Sequence, residues 1–414
     1  MTNPQPLGMV SESMRVVLSG WFWEFPETGS GQYLRYLTAA LADVVPAAQF
    51  VVITPTPSAS DDAGASNVEF VVAPGKRTSF GKLRWEQMTL PHAARQVGAD
   101  LLHVPYWAPP LHAALPTVVT VHDLIPLLLK PYRGGPLVRL YTALVSATSP
   151  RAALLLTDSE ASRRDIIAHL RVSPARVQTV YLAVDRMYVA AAEVADVVAP
   201  GSVAPRSIRC KISVEEDMTV LREFGLQPGY ILYLGGFDVR KNVRGVCAAF
   251  AEVCRDAPDA HLVIAGKLPA VDSDFAPDPR RLARDAGIPE ARIHCVGFVP
   301  ESAKPSLYRQ ARAFVFPSFY EGFGLPPLES LACGTPVVGS RAASLPEVVR
   351  DAGVLVDPTD IHGMAVALVR LLTDDAFHAD LRRRAIQRAA RFTWETTARE
   401  TYSAYEKVLK RVSG

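Results

Sequence analysis

The chain has 414 residues, more than one hydrophobic core usually serves, so its length predicts two domains. Its 44 Lys and Arg against 42 Asp and Glu leave a formal net charge of +2, which gives no electrostatic basis for nucleic acid as the main partner. The sequence has neither a secretory signal nor a run of roughly 18 apolar residues, so we expect a cytoplasmic protein.

The cysteines form an odd set without a C-x-x-C pair, which is typical of a reducing compartment. We interpret them as buried packing residues: Cys210, Cys247, Cys254, Cys295 and Cys333. No cluster of Asp, His or Glu has metal-ligand spacing either, so the sequence predicts no metal site.

Short β-branched runs alternate with amphipathic stretches in two successive series. The first series of predicted strands is Arg15 to Ser19, Phe50 to Thr54, Val68 to Val72, Asp100 to Val104, Thr117 to Val121, Ala153 to Thr157 and Val177 to Tyr181. The second is Tyr230 to Gly235, His261 to Gly266, Arg292 to Gly297, Ala313 to Pro317, Thr335 to Gly339 and Gly353 to Val356. This alternation predicts an α/β protein with two doubly wound parallel sheets.

The first strand runs into a turn that contains Gly29 and Gly31, before an amphipathic helix. Glycines there let the backbone approach a phosphate or an acceptor closely, although a tight turn explains them equally well. The aromatic residues of this turn, Trp21 to Trp23, could line a site but are more typical of packing.

Further along, basic residues interleave with apolar ones. This pattern is compatible with a peripheral membrane contact, but it favours a solvated basic face. The residues are Lys76, Arg77, Phe80, Lys82, Leu83, Arg84 and Trp85.

His122 directly follows a predicted strand. Ligands of α/β proteins bind at the carboxyl ends of parallel strands, so we interpret His122 as functional rather than as a packed core histidine. The later segment Thr157 to Arg164 reads as a structural helix cap.

A stretch of small residues with Pro and Gly, Ala190 to Arg209, separates the two series and predicts the linker. The expected domains are 1–200 and 201–393, and a terminal helix occupies 394–414.

The first strand of the second series ends in Gly235-Gly236, followed by Arg240 and Lys241 at a predicted helix start. Cations and free N–H groups at one place are what a diphosphate needs, although Arg240 could also point into solvent. The next two strands end in Gly266-Lys267 and Gly297 to Val299, whose loops should open into the same crevice.

Two carboxylates, Glu321 and Glu329, flank a glycine loop and a helix predicted from about Pro327 to Ala332. A continuous helix would separate them by roughly 12 Å along its axis. The paired carboxylates of glycoside hydrolases are about 5 to 10 Å apart across one bond, so the pattern favours two contacts to an extended ligand over hydrolysis.

Glu321-Gly-Phe-Gly-Leu-Pro-Pro-Leu-Glu329, with Ala-Cys-Gly-Thr-Pro-Val-Val after it, resembles the E-x7-E motif of the retaining GT-B glycosyltransferases of family 4. The Arg240-Lys241-Asn242 and His122-Asp123-Leu124 segments resemble its mannosyltransferase-like branch. The resemblance implies two Rossmann-like domains facing a cleft, with the terminal helix crossing back to the N-terminal, acceptor-binding domain. It also implies transfer of a hexose, mannose or glucose, from a GDP- or UDP-linked donor to a hydroxyl of a glycan, glycolipid or small metabolite, without a metal or other cofactor.

The resemblance also assigns roles. Lys241 would neutralise the leaving diphosphate, Glu321 would hold the sugar, Glu329 the ribose, and His122 would lie beside the sugar without acting as a general base. Many relatives carry Arg at the position of Gly236, so Arg240 or another basic group would substitute for it. The remaining donor contacts it implies are Gly29, Gly31, Gly236, Arg240, Lys267, Val299, Gly322, Phe323, Gly324 and Leu325.

Two other functions stay open from the residues. A nucleotide-sugar 2-epimerase shares the fold and donor but should lack the Glu321 to Glu329 motif, and a silent binding protein should lose the charged residues that this chain retains. A dinucleotide oxidoreductase is disfavoured, because the first turn lacks G-x-G-x-x-G with an acid about 20 residues later.

Overall fold

Two parallel sheets organise the chain, as the computed structural model shows for residues 14–57, 65–113, 115–189 and 214–413. The first unit contains described residues from 14–158, 162–181 and 394–413, and the second contains those from 159–161 and 182–393. The predicted linker, Ala190 to Arg209, lies outside the described residues.

The first unit is built on a seven-stranded sheet with the order β3-β2-β1-β4-β5-β6-β7. Its strands are β1 (Arg15–Ser19), β2 (Gln49–Thr54), β3 (Val68–Val72), β4 (Leu101–Val104), β5 (Thr117–Thr120), β6 (Leu154–Thr157) and β7 (Val177–Thr179). The helices of this region are α1 (Gly29–Val44), α2 (Ser79–Arg84), α3 (Leu90–Gln96), α4 (Ile125–Leu128), α5 (Pro136–Thr148) and α6 (Glu160–Leu170), with a π-helical turn at Trp85–Thr89.

The second unit has a six-stranded sheet with the order β10-β9-β8-β11-β12-β13. Its strands are β8 (Ile231–Leu234), β9 (Leu262–Ala265), β10 (Ile293–Gly297), β11 (Ala313–Phe316), β12 (Val337–Ser340) and β13 (Gly353–Val356). Its helices are α7 (Val214–Glu223), α8 (Val243–Asp256), α9 (Pro279–Asp285), α10 (Lys304–Gln310), α11 (Leu325–Ala332), α12 (Leu345–Val349), α13 (Ile361–Thr373) and α14 (Asp375–Ala389). The last helix, α15 (Trp394–Ser413), belongs to the first unit.

The strand predictions are confirmed in both series, and all strand pairs are parallel. Most of these strands are buried along their length, as expected for parallel sheets covered on both faces. Helix α11 begins earlier than predicted, at Leu325. Gly324 precedes it with φ 111°, a left-handed conformation that suits glycine, and the prolines that follow fit a first helical turn.

Each sheet reverses its strand order once, between β1 and β4 in the first unit and between β8 and β11 in the second. The loops that leave two such neighbouring strands diverge to opposite faces, and a crevice opens at their carboxyl ends. In the second sheet the Lys241 loop follows β8 and the Glu321 loop follows β11, so the topology brings these two predicted loops to one switch point.

Helix α15 is fixed to the first sheet by a buried polar chain. The Tyr405 hydroxyl lies 2.7 Å from His103 Nδ1, and His103 Nε2 lies 2.8 Å from Thr120 Oγ1. The Tyr33 hydroxyl lies 3.2 Å from the same Thr120 oxygen. Burial, reinforced by His122, lowers the pKa of His103 to about 3, so its imidazole is neutral and connects the helix to β4 and β5.

We expect Tyr405→Phe to destabilise the first unit by about 1–3 kcal/mol, because it removes a hydroxyl and leaves a buried His103 nitrogen without that partner. Chemical denaturation followed by fluorescence measures the change. Tyr402→Phe, at a half-buried side chain of the same helix, is the matched control and should change stability little. Equal stabilities of the two variants would contradict the structural role of this chain.

Candidate active site

The loop after β8 is fixed by Asn242, which follows the 3-10 turn Val239–Lys241. Asn242 has the left-handed φ of 56°, which Asn tolerates better than most residues. Its Oδ1 accepts from the Gly245 N–H at 3.2 Å and caps α8, while its Nδ2 donates to the carbonyls of Pro317 at 3.2 Å and Pro358 at 2.7 Å. Asn242 therefore ties this loop to the end of β11.

Arg240 and Lys241 converge on one carboxylate. Arg240 Nη1 lies 2.8 Å from Glu321 Oε2, and Lys241 Nζ lies 2.7 Å from Glu321 Oε1. Arg240 also donates to the Tyr320 carbonyl at 2.8 Å, and the Lys241 ammonium lies 5.0 Å from the centre of the Phe316 ring. Arg240 thus turns into the protein, its side chain only 12% exposed, and its Nε lies 3.5 Å from a second carboxylate, Asp238 Oδ1.

The ion triad of Arg240, Lys241 and Glu321 keeps the Glu321 carboxyl ionised. Burial alone would raise the pKa of this carboxyl, but the charges of Lys241 and Arg240 and the hydrogen bond from Lys241 outweigh it and lower the pKa below its usual range. A carboxylate that two cations hold ionised can accept hydrogen bonds from hydroxyl groups, and an ammonium beside it has three N–H donors, enough to serve an anion as well.

The backbone of the Glu321 loop is held by hydroxyl side chains. Ser344 Oγ lies 2.9 Å from the Glu321 carbonyl and 2.6 Å from that of Phe323, and Ser159 Oγ donates to the Gly322 carbonyl at 2.7 Å. Because Pro326 and Pro327 carry no N–H, the first turn of α11 offers fewer donors than an ordinary helix start.

Glu329 lies on α11 in a different environment. It is buried and accepts a hydrogen bond from the Tyr308 hydroxyl at 2.9 Å. Burial raises the pKa of Glu329 to about 7, and Glu301 adds to this effect, while Lys304 and Tyr308 oppose it. The two motif carboxylates therefore differ in charge state near neutral pH, which agrees with separate tasks.

The other predicted donor-side positions differ in exposure. Lys267 is exposed after β9, and Val299 is buried after β10. Gly266, with φ 148°, passes so close to β8 that a Cβ would lie 2.1 Å from the Gly235 carbonyl oxygen. At Gly236 an added Cβ would lie 3.2 Å from Asp238 Oδ2, with no other described heavy atom within 4 Å apart from the neighbouring residues in the chain, so a larger side chain fits if the Asp238 side chain shifts slightly.

In the first unit, His122 is fixed by two acceptors. Its Nδ1 lies 2.7 Å from Asp158 Oδ2 and its Nε2 lies 3.3 Å from the Pro105 carbonyl, while the ring of Tyr33 meets it edge-on at 4.9 Å. Burial by itself would lower the pKa of His122, but the charge and hydrogen bond of Asp158 raise it above its usual value. Both ring nitrogens then serve as donors, which fits the expectation that His122 is not a general base.

The predicted glycine turn before α1 also has a local explanation. The Gly31 N–H donates to Thr28 Oγ1 at 3.1 Å, and a Cβ on Gly31 would lie 2.0 Å from the Phe25 carbonyl oxygen. Gly29 has open space around it. Trp21 and Trp23 are buried, so close packing explains much of this turn.

Three residues with clear structural roles in these groups carried no individual sequence prediction: Tyr308, Asp158 and Ser344. The role of Asp158 could have been predicted, because an acid directly after β6 lies at the same edge of the sheet, the carboxyl ends of the strands, as His122 after β5.

The described cysteines are free thiols; Cys247 and Cys333 are buried as expected, but Cys254 and Cys295 are only half-buried. Cys210 lies outside the described residues. Within the described ranges, no group of three His, Cys, Asp or Glu side chains could hold a metal ion. No helix in the same ranges has the length and apolar character needed to cross a membrane.

We expect Glu329→Gln to raise the melting temperature at about pH 8, because it removes the cost of ionising a buried carboxyl. The folded-state pKa of Glu329 is raised, so its favourable contribution to stability is fully present below the usual pKa of 4.5 and is lost as the pH rises through about 7. The difference from wild type should therefore shrink toward about pH 5. Glu395→Gln, at an exposed helix position, is the control; equal melting temperatures of Glu329→Gln and wild type at the higher pH would contradict this assignment.

Comparison with known proteins identifies the family. The family described as Glycosyltransferase Family 4 matches residues 28–187, and the family described as Glycosyl transferases group 1 matches residues 221–392. The chain is 31% identical over 409 residues to O-antigen chain mannosyltransferase B of Escherichia coli, covering 95% of this chain and 100% of that protein. It is 28% identical to the serotype-specific mannosyltransferase WbdA of Escherichia coli over 71% of this chain, which spans 34% of that longer protein.

The fold has solved counterparts. The sucrose-phosphate synthase of Thermosynechococcus elongatus superposes with a TM-score of 0.70 at 20% identity, covering 96% of this chain and 100% of that one. The resemblance deduced from the E-x7-E motif is confirmed over both units. The chain therefore belongs to glycosyltransferase family 4, as a retaining GT-B hexosyltransferase that takes its sugar from a nucleotide-sugar donor.

Proposed function

We propose that the enzyme transfers mannose from a guanosine or uridine diphosphate donor to a hydroxyl group of a saccharide acceptor. The observation that carries the proposal is the convergence of Arg240 and Lys241 on Glu321 at the switch point of the second sheet. Mannose is favoured because the two Escherichia coli relatives described above are named mannosyltransferases.

In this proposal Lys241 and Arg240 bind the donor diphosphate. Cleavage of the bond between the anomeric carbon and the diphosphate oxygen develops negative charge on the leaving group. Preorganised cations stabilise that charge as it forms without reorganising water, which is the largest single contribution in many enzymes. Arg240 would supply the second cation in place of the Arg that the family resemblance implies at Gly236.

Glu321 would accept hydrogen bonds from sugar hydroxyls, which requires the ionised form that its two cationic partners maintain. The N–H groups of Phe323, Gly324 and Leu325 would contribute donors to the sugar and phosphate oxygens. Glu329 would accept from the vicinal hydroxyls of the ribose, with Tyr308 orienting its carboxylate.

In the first unit we propose that His122 lies beside the transferred sugar and acts through its charge rather than by donating a hydrogen bond to it. Its two ring nitrogens face the Asp158 carboxylate and the Pro105 carbonyl, so both N–H groups of the protonated ring are engaged. The raised pKa of His122 favours this protonated ring, which contributes a positive charge and is not a base. The free thiols support a reducing, cytoplasmic location for the reaction.

We expect GDP-mannose or its uridine counterpart to raise the melting temperature, since a ligand at about 100 times its Kd stabilises the folded state by about 2.7 kcal/mol. A panel of UDP, GDP, ADP and their sugars identifies the base. Lys241→Met should lose most of this shift and lower the single-turnover rate about 10²–10³-fold, the usual loss for one charge-stabilising donor.

Lys410→Met, at an exposed lysine of α15, is the control and should retain both properties. Near-normal turnover of Lys241→Met would refute the assignment. Incubation with donor alone also tests the epimerase alternative, which would isomerise the sugar without an acceptor.

Glu321→Gln should separate binding from chemistry. The substitution removes the negative charge that faces both cations, so affinity for the nucleoside diphosphate should stay the same or rise, while the rate of sugar transfer falls. Isothermal titration with GDP or UDP and a transfer assay measure the two effects. Parallel losses of nucleotide affinity and transfer rate would contradict the proposed division of roles.

A further inference from the structure

Apolar side chains are exposed together with basic ones in two segments of the first unit. Phe80 and Met88 are 77% and 66% exposed on α2 and the π-helical turn, and Leu137 and Leu140 are 77% and 69% exposed on α5. We define the α2–α5 face by Lys76, Phe80, Arg84, Met88, Arg133, Leu137, Arg139 and Leu140.

The two segments of this face are joined. The Tyr141 hydroxyl on α5 donates to Glu86 Oε2 at 3.1 Å, and the Lys82 ammonium lies 5.6 Å from the Tyr141 ring centre. Trp85, which the sequence pattern had placed among the interleaved residues, is instead in the core, and its indole N–H donates to the Ala73 carbonyl at 2.8 Å. The core thus anchors the segment, and α5 extends the apolar surface beyond what the sequence pattern indicated.

The charges of this region are one-sided. Residues 70–99 contain five basic residues and one acid, Glu86, which is buried and lies 3.5 Å from Lys82, and residues 124–157 contain four basic residues and no acid. The acids Glu69, Asp100, Asp123 and Asp158 flank these two ranges. The whole chain is nearly balanced, with 44 basic and 42 acidic residues, so the excess is local. This charge complements an anionic surface.

A cavity of about 170 Å³ lies between α4 and α5, and some of its lining residues are close in sequence to Leu137 and Leu140. It is lined by Pro126, Leu127, Arg133, Arg139, Thr142 and Ala143. Arg139 Nε donates to the Gly134 carbonyl at 3.2 Å, which fixes one guanidinium at the cavity. Two guanidinium groups beside apolar side chains match the chemistry of a phosphate group attached to a lipid.

We propose that the α2–α5 face docks on a bilayer that contains anionic phospholipids. Phe80, Leu137 and Leu140 enter the interface, and Arg133 and Arg139 bind lipid phosphates. Single exposed apolar residues are ordinary on protein surfaces, but several of them on two segments that contact each other, with basic residues beside them, are the pattern of an interfacial contact. The inference rests on the first unit alone and is independent of the proposed donor and sugar.

Vesicle flotation tests the docking. Full-length wild type should float with phosphatidylcholine–phosphatidylglycerol vesicles at low salt, detach as salt rises, and float poorly with phosphatidylcholine alone. The double variant Arg133→Ser with Arg139→Ser should partition about thirtyfold less, since each basic residue near an anionic membrane contributes a factor of about five. Leu137→Ser with Leu140→Ser should lose about tenfold per side chain.

Val271→Ser and Val366→Ser change exposed apolar residues of the second unit and should float like wild type. Unchanged melting temperatures and nucleotide-induced shifts would show that each variant is folded. The proposal would be overturned if wild type failed to float with anionic vesicles at low salt. It would also be overturned if the variants of the α2–α5 face floated like wild type. A Leu137→Ser with Leu140→Ser variant that changes from dimer to monomer without a change in flotation would assign the face to a second copy instead.

Discussion

The pairing of Glu321 with Arg240 and Lys241 is the interaction on which the proposed chemistry of this enzyme depends. Three charges that are mostly removed from water are stable only if each finds an opposite partner. The left-handed Asn242 and its bonds to Pro317 and Pro358 hold the cations against the end of β11, and Ser344 holds the carboxylate loop. The two cations are thereby held at one place, where the proposed diphosphate would bind.

The parallel sheet explains why residues 80 positions apart can form this triad. Strands β8 and β11 are neighbours although β9 and β10 lie between them in sequence, so their carboxyl-end loops meet. Glu329 lies further along, on α11, and accepts a hydrogen bond from Tyr308 on α10 instead of pairing with the two cations. One short motif thereby supplies two carboxylates in different electrostatic surroundings.

The strands could be predicted because buried parallel strands are continuous apolar runs, and the motif loops could be placed because they follow those strands. The partners of the charged residues could not, since the Arg240 to Glu321 and His122 to Asp158 pairs depend on which strands are adjacent. The burial of Trp85 could not be predicted from the neighbouring sequence, because it depends on the π-helical turn and on the hydrogen bond from the Trp85 indole to the Ala73 carbonyl, just after β3. The missing donors of Pro326 and Pro327, by contrast, were readable from the sequence.

The protonation states of the candidate residues bear on which group takes the proton of the acceptor hydroxyl. Glu321 is held ionised by two cations and is a weak base, and His122 faces acceptors through both nitrogens. Glu329 has a pKa near 7, but its proposed task is to hold the ribose. Among these residues none is suited to take the proton of the acceptor hydroxyl, whereas the oxygen of the leaving diphosphate gains charge as its bond breaks. In the proposed reaction that oxygen would therefore accept the proton, and Arg240 and Lys241 would stabilise the diphosphate until the proton arrives.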